Sequence, residues 1–158
     1  ALTNGAIPMG AVAVRDEIYE TVTNAAPENA IEFFHGYTYS AHPAACAAGI
    51  ATQKIFEDEG LFQRASDMSG YFLDAVWSLR DHPLVADLRG FGMMAGIEIK
   101  HDGVAGRRGT QLQKDMFWNG LHVKFTGDNA ILAPAFVAEK PQIEEIVDKF
   151  RKTLDQHI

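Results

Sequence analysis

Residues 33–49, FFHGYTYSAHPAACAAG, organise the chain around them. Gly36 permits a sharp backbone turn, and four consecutive hydroxyl-bearing residues follow: Tyr37, Thr38, Tyr39 and Ser40. Next come His42-Pro43 and a run of small residues from Ala44 to Gly49. Proline suits the first turn of a helix, where its missing N–H would be unpaired anyway. The segment therefore reads as a hydroxyl-rich loop feeding a helix that starts near Pro43. Free N–H groups, the positive dipole end and the Thr38 hydroxyl suit a phosphate or a carboxylate. The same residues also read as a capped, exposed helix start with Thr38 in an ST-turn or cap, and most capped helices bind nothing.

Working outward, the helix from Pro43 runs to about Glu59 and Gly60 stops it. Ala45, Ala48, Gly49 and Thr52 share one side, so another backbone can approach closely. Leu61, Ala65, Met68, Phe72, Val76 and Leu79 follow with helical spacing, and His82-Pro83 ends that pattern. Strands are expected at Leu84–Leu88 and Met93–Ile99, with Arg89-Gly90-Phe91-Gly92 as the hairpin or bulge between them. Residues 101–109 read as a polar loop with solvated Arg107 and Arg108. Thr110-x-x-Gln113 reads as a capping box and Asn119-Gly120 as the matching stop. Leu121–Phe125 and Ala130–Ala133 read as strands joined by Thr126-Gly127-Asp128-Asn129. A last helix starts at Pro141 with Ile143, Ile146, Val147, Phe150 and Leu154 as its buried stripe, Glu144 and Glu145 towards its positive end, and Lys149, Arg151 and Lys152 towards its negative end.

Upstream of the hydroxyl loop, Thr3-Asn4-Gly5 is a turn signal. Gly10–Val14 has the length and valine content of a short buried strand, and Asp16 is placed to cap a helix through about Thr23. Residues 24–29 read as loop, and residues 31–34 as either a brief strand or a turn. Residues 1–43 cannot build a core of their own, whereas 60–158 alternate strands and helices as an α+β layer.

Composition narrows the function class. Twenty-one acidic against fourteen basic residues give a formal charge of −7. That balance, without a long basic run, argues against nucleic acid or an anionic membrane as partner. The apolar stretches are too short or interrupted for a membrane span. The single Cys46 rules out an internal disulfide and fits a reducing, cytoplasmic location, as does the lack of a visible signal peptide.

The segment HGYTYSAHPAACAAG closely resembles the HGYTYSGHP-type segment of class III aminotransferases, which use pyridoxal phosphate. The opening ALTNGAIPMGAVAV resembles the segment directly after the cofactor-binding lysine in that family, most of all in the ω-amino acid:pyruvate (β-alanine:pyruvate) aminotransferases. The resemblance implies a fold type I pyridoxal enzyme with an α/β large domain and an α+β small one. Residues 1–43 would be the trailing segment of the large domain, 44–59 the linking helix and 60–158 the small C-terminal domain. It implies a Schiff-base lysine directly before Ala1, hence no catalytic residue within this chain, which would be the C-terminal part of a larger enzyme. Thr38, with Tyr37 and Gly36 beside it, would reach the phosphate of the neighbouring subunit's cofactor, making the enzyme a homodimer or larger. Lys124 stands where these aminotransferases usually carry the arginine that holds the substrate carboxylate. Lysine keeps the charge and loses the bidentate fork. Read without the resemblance, Lys124 is an exposed strand-edge lysine. The implied reaction moves an amino group from an ω-amino acid or amine to pyruvate or a similar 2-oxo acid. An aminomutase, racemase or decarboxylase shares the same motifs. A non-catalytic anion-binding or oligomerisation module is the reading from another class.

Other chemistries find little support. Gly90, Gly92 and Gly96 lack the helix a dinucleotide fingerprint requires. The six histidines form no HExxH pair, Cys46 has no CxxC partner, and no metal site is expected. His35 and His42 flank the hydroxyl loop as orienting groups, and Cys46 among alanines reads as a small buried hydrophobe. No GxSxG elbow is present.

Overall fold

A computed structural model describes residues 2–31, 33 and 38–158. The chain forms two compact units, Ala1–Glu59 and Gly60–Ile158.

In the first unit, Asn4 (φ 50°) and Gly5 (φ 80°) are both left-handed and the Ala6 N–H bonds the Thr3 carbonyl at 3.0 Å. This is a type I′ turn, the geometry that Asn-Gly favours. Buried Thr3 closes it by donating to the Ile7 carbonyl at 2.6 Å. The strand expected at Gly10–Val14 does not form. These residues are irregular and Val12 is 89% exposed, because a strand needs a ladder partner and no described residue supplies one. Helix α1 spans Asp16–Asn24. Its N-cap is Arg15, which has the extended backbone a cap requires, so Asp16 is the first helical residue and makes no cap of its own. Asp16 and Glu17 instead place two carboxylates at the positive dipole end. Helix α2 spans Pro43–Asp58 and buries Ala45, Gly49 and Thr52, three of the four residues on the small-residue face. The chain that approaches there is the N-terminal segment. A Cβ on Gly49 would lie 3.2 Å from the Met9 sulfur and 3.7 Å from the Leu2 carbonyl.

The second unit is a four-stranded antiparallel sheet under three helices. Helix α3 spans Leu61–Trp77, β1 Val85–Phe91, β2 Met94–Ile99, α4 Arg107–Trp118, β3 Lys124–Thr126, β4 Asn129–Leu132 and α5 Lys140–Asp155. The strand order is β1-β2-β4-β3. Strand β1 continues through Arg89-Gly90-Phe91, which were expected to be the connection. The connection is only Gly92-Met93, with Gly92 at φ 59° in the first loop position, as in a type II′ hairpin. Ala95, Ile97, Ile99, Ala130, Leu132 and Phe125 point to one face and pack with Phe72 and Val76 of α3, Leu112 and Met116 of α4, and the α5 stripe Ile143, Val147, Phe150 and Leu154. Partly buried Ile146 borders that core.

Helix α4 departs from its expected start. It begins at Arg107 behind Gly106, so Arg107, Arg108 and Gly109 are helical and Thr110 lies inside the first turns. Thr110 donates to the Gly106 carbonyl at 2.7 Å and caps nothing. The cap comes from Asp128, distant in sequence. A carboxylate accepting two N–H groups at a positive dipole end is a stronger cap than a neutral hydroxyl. The far end is as expected: Gly120 donates to the Phe117 carbonyl at 3.1 Å and Leu121 to the Met116 carbonyl at 2.8 Å, the two bonds of a Schellman motif. That motif takes Leu121 out of the strand, and β3 is shorter than expected. Helix α5 opens with a capping box in which Gln142 accepts the Glu139 N–H at 2.8 Å.

Candidate functional site

The first candidate lies at the start of α2. Thr38 is exposed, in a turn that runs through Ala41. Gly36 and Tyr37, with His35, lie outside the described residues. Ala41 is left-handed at φ 55° and hands the chain to His42, the N-cap, whose side chain makes no cap bond. Pro43 occupies the first turn, which contains no acidic residue. The positive end of α2 thus has no carboxylate of its own, and a hydroxyl stands four residues ahead of the cap. A phosphate dianion fits that donor set, because hydroxyl and N–H groups both donate and nothing acidic opposes the charge.

Along the same helix, Cys46 is half-buried beside Leu2, Met9, Gly49 and Ile50 in a mostly apolar groove of about 620 Å³. Lys54, at its rim, is paired with Asp58 at 3.0 Å. Glu57 lines the same groove eleven residues further along α2 from Cys46.

The second candidate is the sheet face that the helices leave open. The register sets its residues in rows. Arg89, Gly96, Ile131 and Lys124 lie across the four strands, and Asp87, Glu98, Asn129 and Thr126 lie across them one step on. Arg89 is engaged by its neighbours: its guanidinium donates to Asp87 at 2.6 Å, Glu98 at 2.9 Å and the Asn129 side-chain oxygen at 2.8 Å. The bond to Glu98, then that to Asp87, raises its pKa further above the usual arginine value. Lys124 is the first residue of the edge strand, exposed, and opposite Ile131. Among the described residues no carboxylate is within ion-pair reach of Lys124. Of the two cations in that row, Arg89 is engaged by Asp87, Glu98 and Asn129, and Lys124 is exposed.

Three features escaped the sequence reading. Arg64 donates to the carbonyls of Phe136, Val137 and Ala138 at 3.0, 3.1 and 3.3 Å, pinning the connection between β4 and α5. The Arg89 network was invisible because its partners come from three strands. Asp128 was read only as a turn residue, although two glycines three apart, Gly106 and Gly109, hinted that backbone would be closely approached there. Among the described residues, two histidines meet carboxylates. Buried His82 accepts the Leu84 N–H at 3.2 Å and meets Asp155 at 3.2 Å, and His157 meets Asp115 at 2.9 Å. Among the described residues no three metal-ligating side chains converge. No helix among them is long and apolar enough to cross a membrane.

Comparison with known proteins gives the family. The family described as Aminotransferase class-III matches residues 1–154. The chain belongs to the class III aminotransferases. It is 43% identical over 156 residues to the ω-aminotransferase of Caulobacter vibrioides, covering 98% of this chain and 35% of that protein. To the β-alanine–pyruvate aminotransferase of Pseudomonas aeruginosa it is 38% identical, again over 98% of this chain and 35% of the relative. Among solved structures, the (S)-enantioselective ω-transaminase of Thermomicrobium roseum superposes with a TM-score of 0.80 at 29% identity, over 98% of this chain and 35% of that one. A thermostable ω-transaminase variant from Pseudomonas jessenii gives 0.73 at 28% identity, over 80% and 30%. This class III chain therefore spans about a third of the length of the curated relatives it matches. Its mixed α/β architecture, with an open four-stranded sheet, is that of the small-domain portion of a fold type I pyridoxal enzyme.

Proposed function

We propose that the protein carrying these residues is a pyridoxal phosphate-dependent transaminase. It moves an amino group from an ω-amino acid or amine to pyruvate or a similar 2-oxo acid. Bound pyridoxal phosphate supplies the electron sink for that exchange. In this reading the chain contributes contacts to cofactor and substrate rather than the proton-transferring base. Thr38, flanked in sequence by Gly36 and Tyr37, would hold the phosphate through a hydrogen bond from its hydroxyl, and the start of α2 would add its positive end. In the homodimer this phosphate belongs to the neighbouring subunit's cofactor. Lys124 holds the carboxylate of an ω-amino acid donor. It holds the carboxylate of the 2-oxo acid in the second half of the reaction, since both substrates present the same group. Because a lysine offers a point charge rather than a planar fork, the grip is orientationally loose and plain amines are tolerated alongside amino acids.

The observation that carries the reading is Thr38, exposed before an acid-free helix start and set within the HGYTYSAHP segment. The test uses the full-length protein. Thr38→Ala is expected to weaken cofactor binding about tenfold, the scale of one lost charge-assisted hydrogen bond. An unchanged affinity would remove Thr38 from the phosphate site. Alanine must accumulate from pyruvate in step with donor consumption. Isomerised or decarboxylated donor without alanine would point instead to an aminomutase, racemase or decarboxylase of the same superfamily. A protein that neither binds the cofactor nor turns over any amine would leave the non-catalytic module.

A further inference from the structure

We propose that Asp128 is a positioning residue for Lys124, acting through the β3–β4 hairpin to set where the substrate carboxylate is held. The inference rests on the reading of Lys124 as the carboxylate contact.

Strand β3 is three residues long, lies at the sheet edge and has β4 as its single ladder partner. So short a ladder holds its own register weakly, and a slip of one residue would turn Lys124 from the open face to the core. The element that holds it is α4. The chain leaves the C-terminal end of α4 at Leu121, whose N–H bonds the Met116 carbonyl at 2.8 Å. It passes Lys124 and meets the N-terminal end of α4 at Asp128. There one carboxylate oxygen accepts the Gly106 N–H at 2.7 Å and the other accepts the Gly109 N–H at 2.8 Å. The Asp128 carbonyl also accepts the Ile99 N–H at 2.9 Å, tying the turn to β2. The contact leaves no slack: a Cβ on Gly109 would fall 2.0 Å from the Gly127 carbonyl oxygen. Helix α4 is thus a splint fastened at both ends of residues 121–128, with Lys124 midway. Asp128 is its charged fastening, aided by the helix dipole. Loosening it shifts the strand that carries the ammonium group, and binding geometry is sensitive to shifts of about 1 Å.

The test is a double-mutant cycle in the full-length protein loaded with cofactor. Lys124→Ala and Asp128→Asn are measured singly and together against β-alanine and against a plain alkylamine. Lys124→Ala should lower kcat/KM selectively for β-alanine, and failure of that selectivity overturns the reading of Lys124, whatever Asp128 does. Given that selectivity, Asp128→Asn should lower the β-alanine to alkylamine ratio about three- to tenfold and have no further effect on it in the Lys124→Ala background. An equal loss for both donors, repeated in both backgrounds, would mean that Asp128 only caps α4. Calorimetric titration of the cofactor-free protein with propionate gives a second readout, in which affinity should fall in the same order. If Asp128→Asn fails to fold, Asp128→Ser keeps a neutral capping oxygen and should lie between wild type and complete loss of selectivity. A wild-type ratio in Asp128→Ser with a lowered Tm would equally overturn the proposal.

Discussion

The two units use similar residues to different ends. In the second, every helix has a sheet to cover, and Phe72, Ile97, Phe150 and Leu154 are wholly or almost wholly buried. In the first, α1 buries none of its residues, although Ile18 and Val22 lie four apart on one face and each is 46% exposed. Amphipathic spacing says which face wants burial; it does not supply the surface that buries it. Where that surface is within the chain, as for α5 on the sheet, the pattern becomes a core. Where no described residue supplies it, as for α1, the same pattern remains an exposed stripe.

The largest expected effect breaks this contrast directly. In the 158-residue chain, Phe150→Ala should cost about 3–5 kcal/mol in urea unfolding, while Ile18→Ala should stay within about 0.5 kcal/mol. Comparable costs would mean that α1 has a buried partner. Next is Gly109→Ala, where the clash is with backbone and cannot be relieved by a rotamer. About 2–3 kcal/mol is expected, with loss of hydrogen-exchange protection spreading from α4 to β3. A thermal melt of Arg64→Met should report about 1–2 kcal/mol, because three carbonyls near residues 136–138 lose their donor while the aliphatic stem is kept. In the first unit the sign reverses. Ala41 is non-glycine at φ 55°, so Ala41→Gly should stabilise the start of α2 by about 1 kcal/mol, read as slower exchange of the first-turn amides. The smallest effect is electrostatic. The hydrogen bond from Arg107 holds Asp102 below the usual carboxylate range. A depressed folded pKa contributes stability that is present above the unfolded value and is lost as pH falls through the folded one. Acidification below about pH 4 should therefore loosen residues 101–106 before the core opens, visible as an Asp102 carboxyl titration displaced to low pH.

Legibility in the chain tracks the range of the forces involved. The start and stop of α2, the stop of α4, the start of α5, the turn at Asn4-Gly5 and the stripes of α3 and α5 depend on neighbours within a few residues. The stops, the turn and the stripes all lie close to where their residues point. Gly10–Val14 misled because valine content reports compatibility with a strand, while the strand itself requires a ladder. Thr110-x-x-Gln113 misled because the pattern is local and the actual cap is not: Asp128 outcompetes it with a charge carried on another hairpin. The candidate site divides along the same line. Thr38 and Lys124 were identifiable as residues, one by its motif and one by its position. That Lys124 has no ion-pair partner among the described residues while Arg89 in the same row is engaged depends on strand register.

The amino-acid sequence by itself determined the family, most of the helical segments, the stops that end them and the two candidate site residues, because each is encoded by short-range sterics or by a contiguous motif. The tertiary structure alone decided which apolar faces are buried, which carboxylate caps α4, and which of the two cations on the sheet remains available. Those outcomes depend on groups far apart in the chain, as with Arg89 and Asn129 forty positions apart, being brought together.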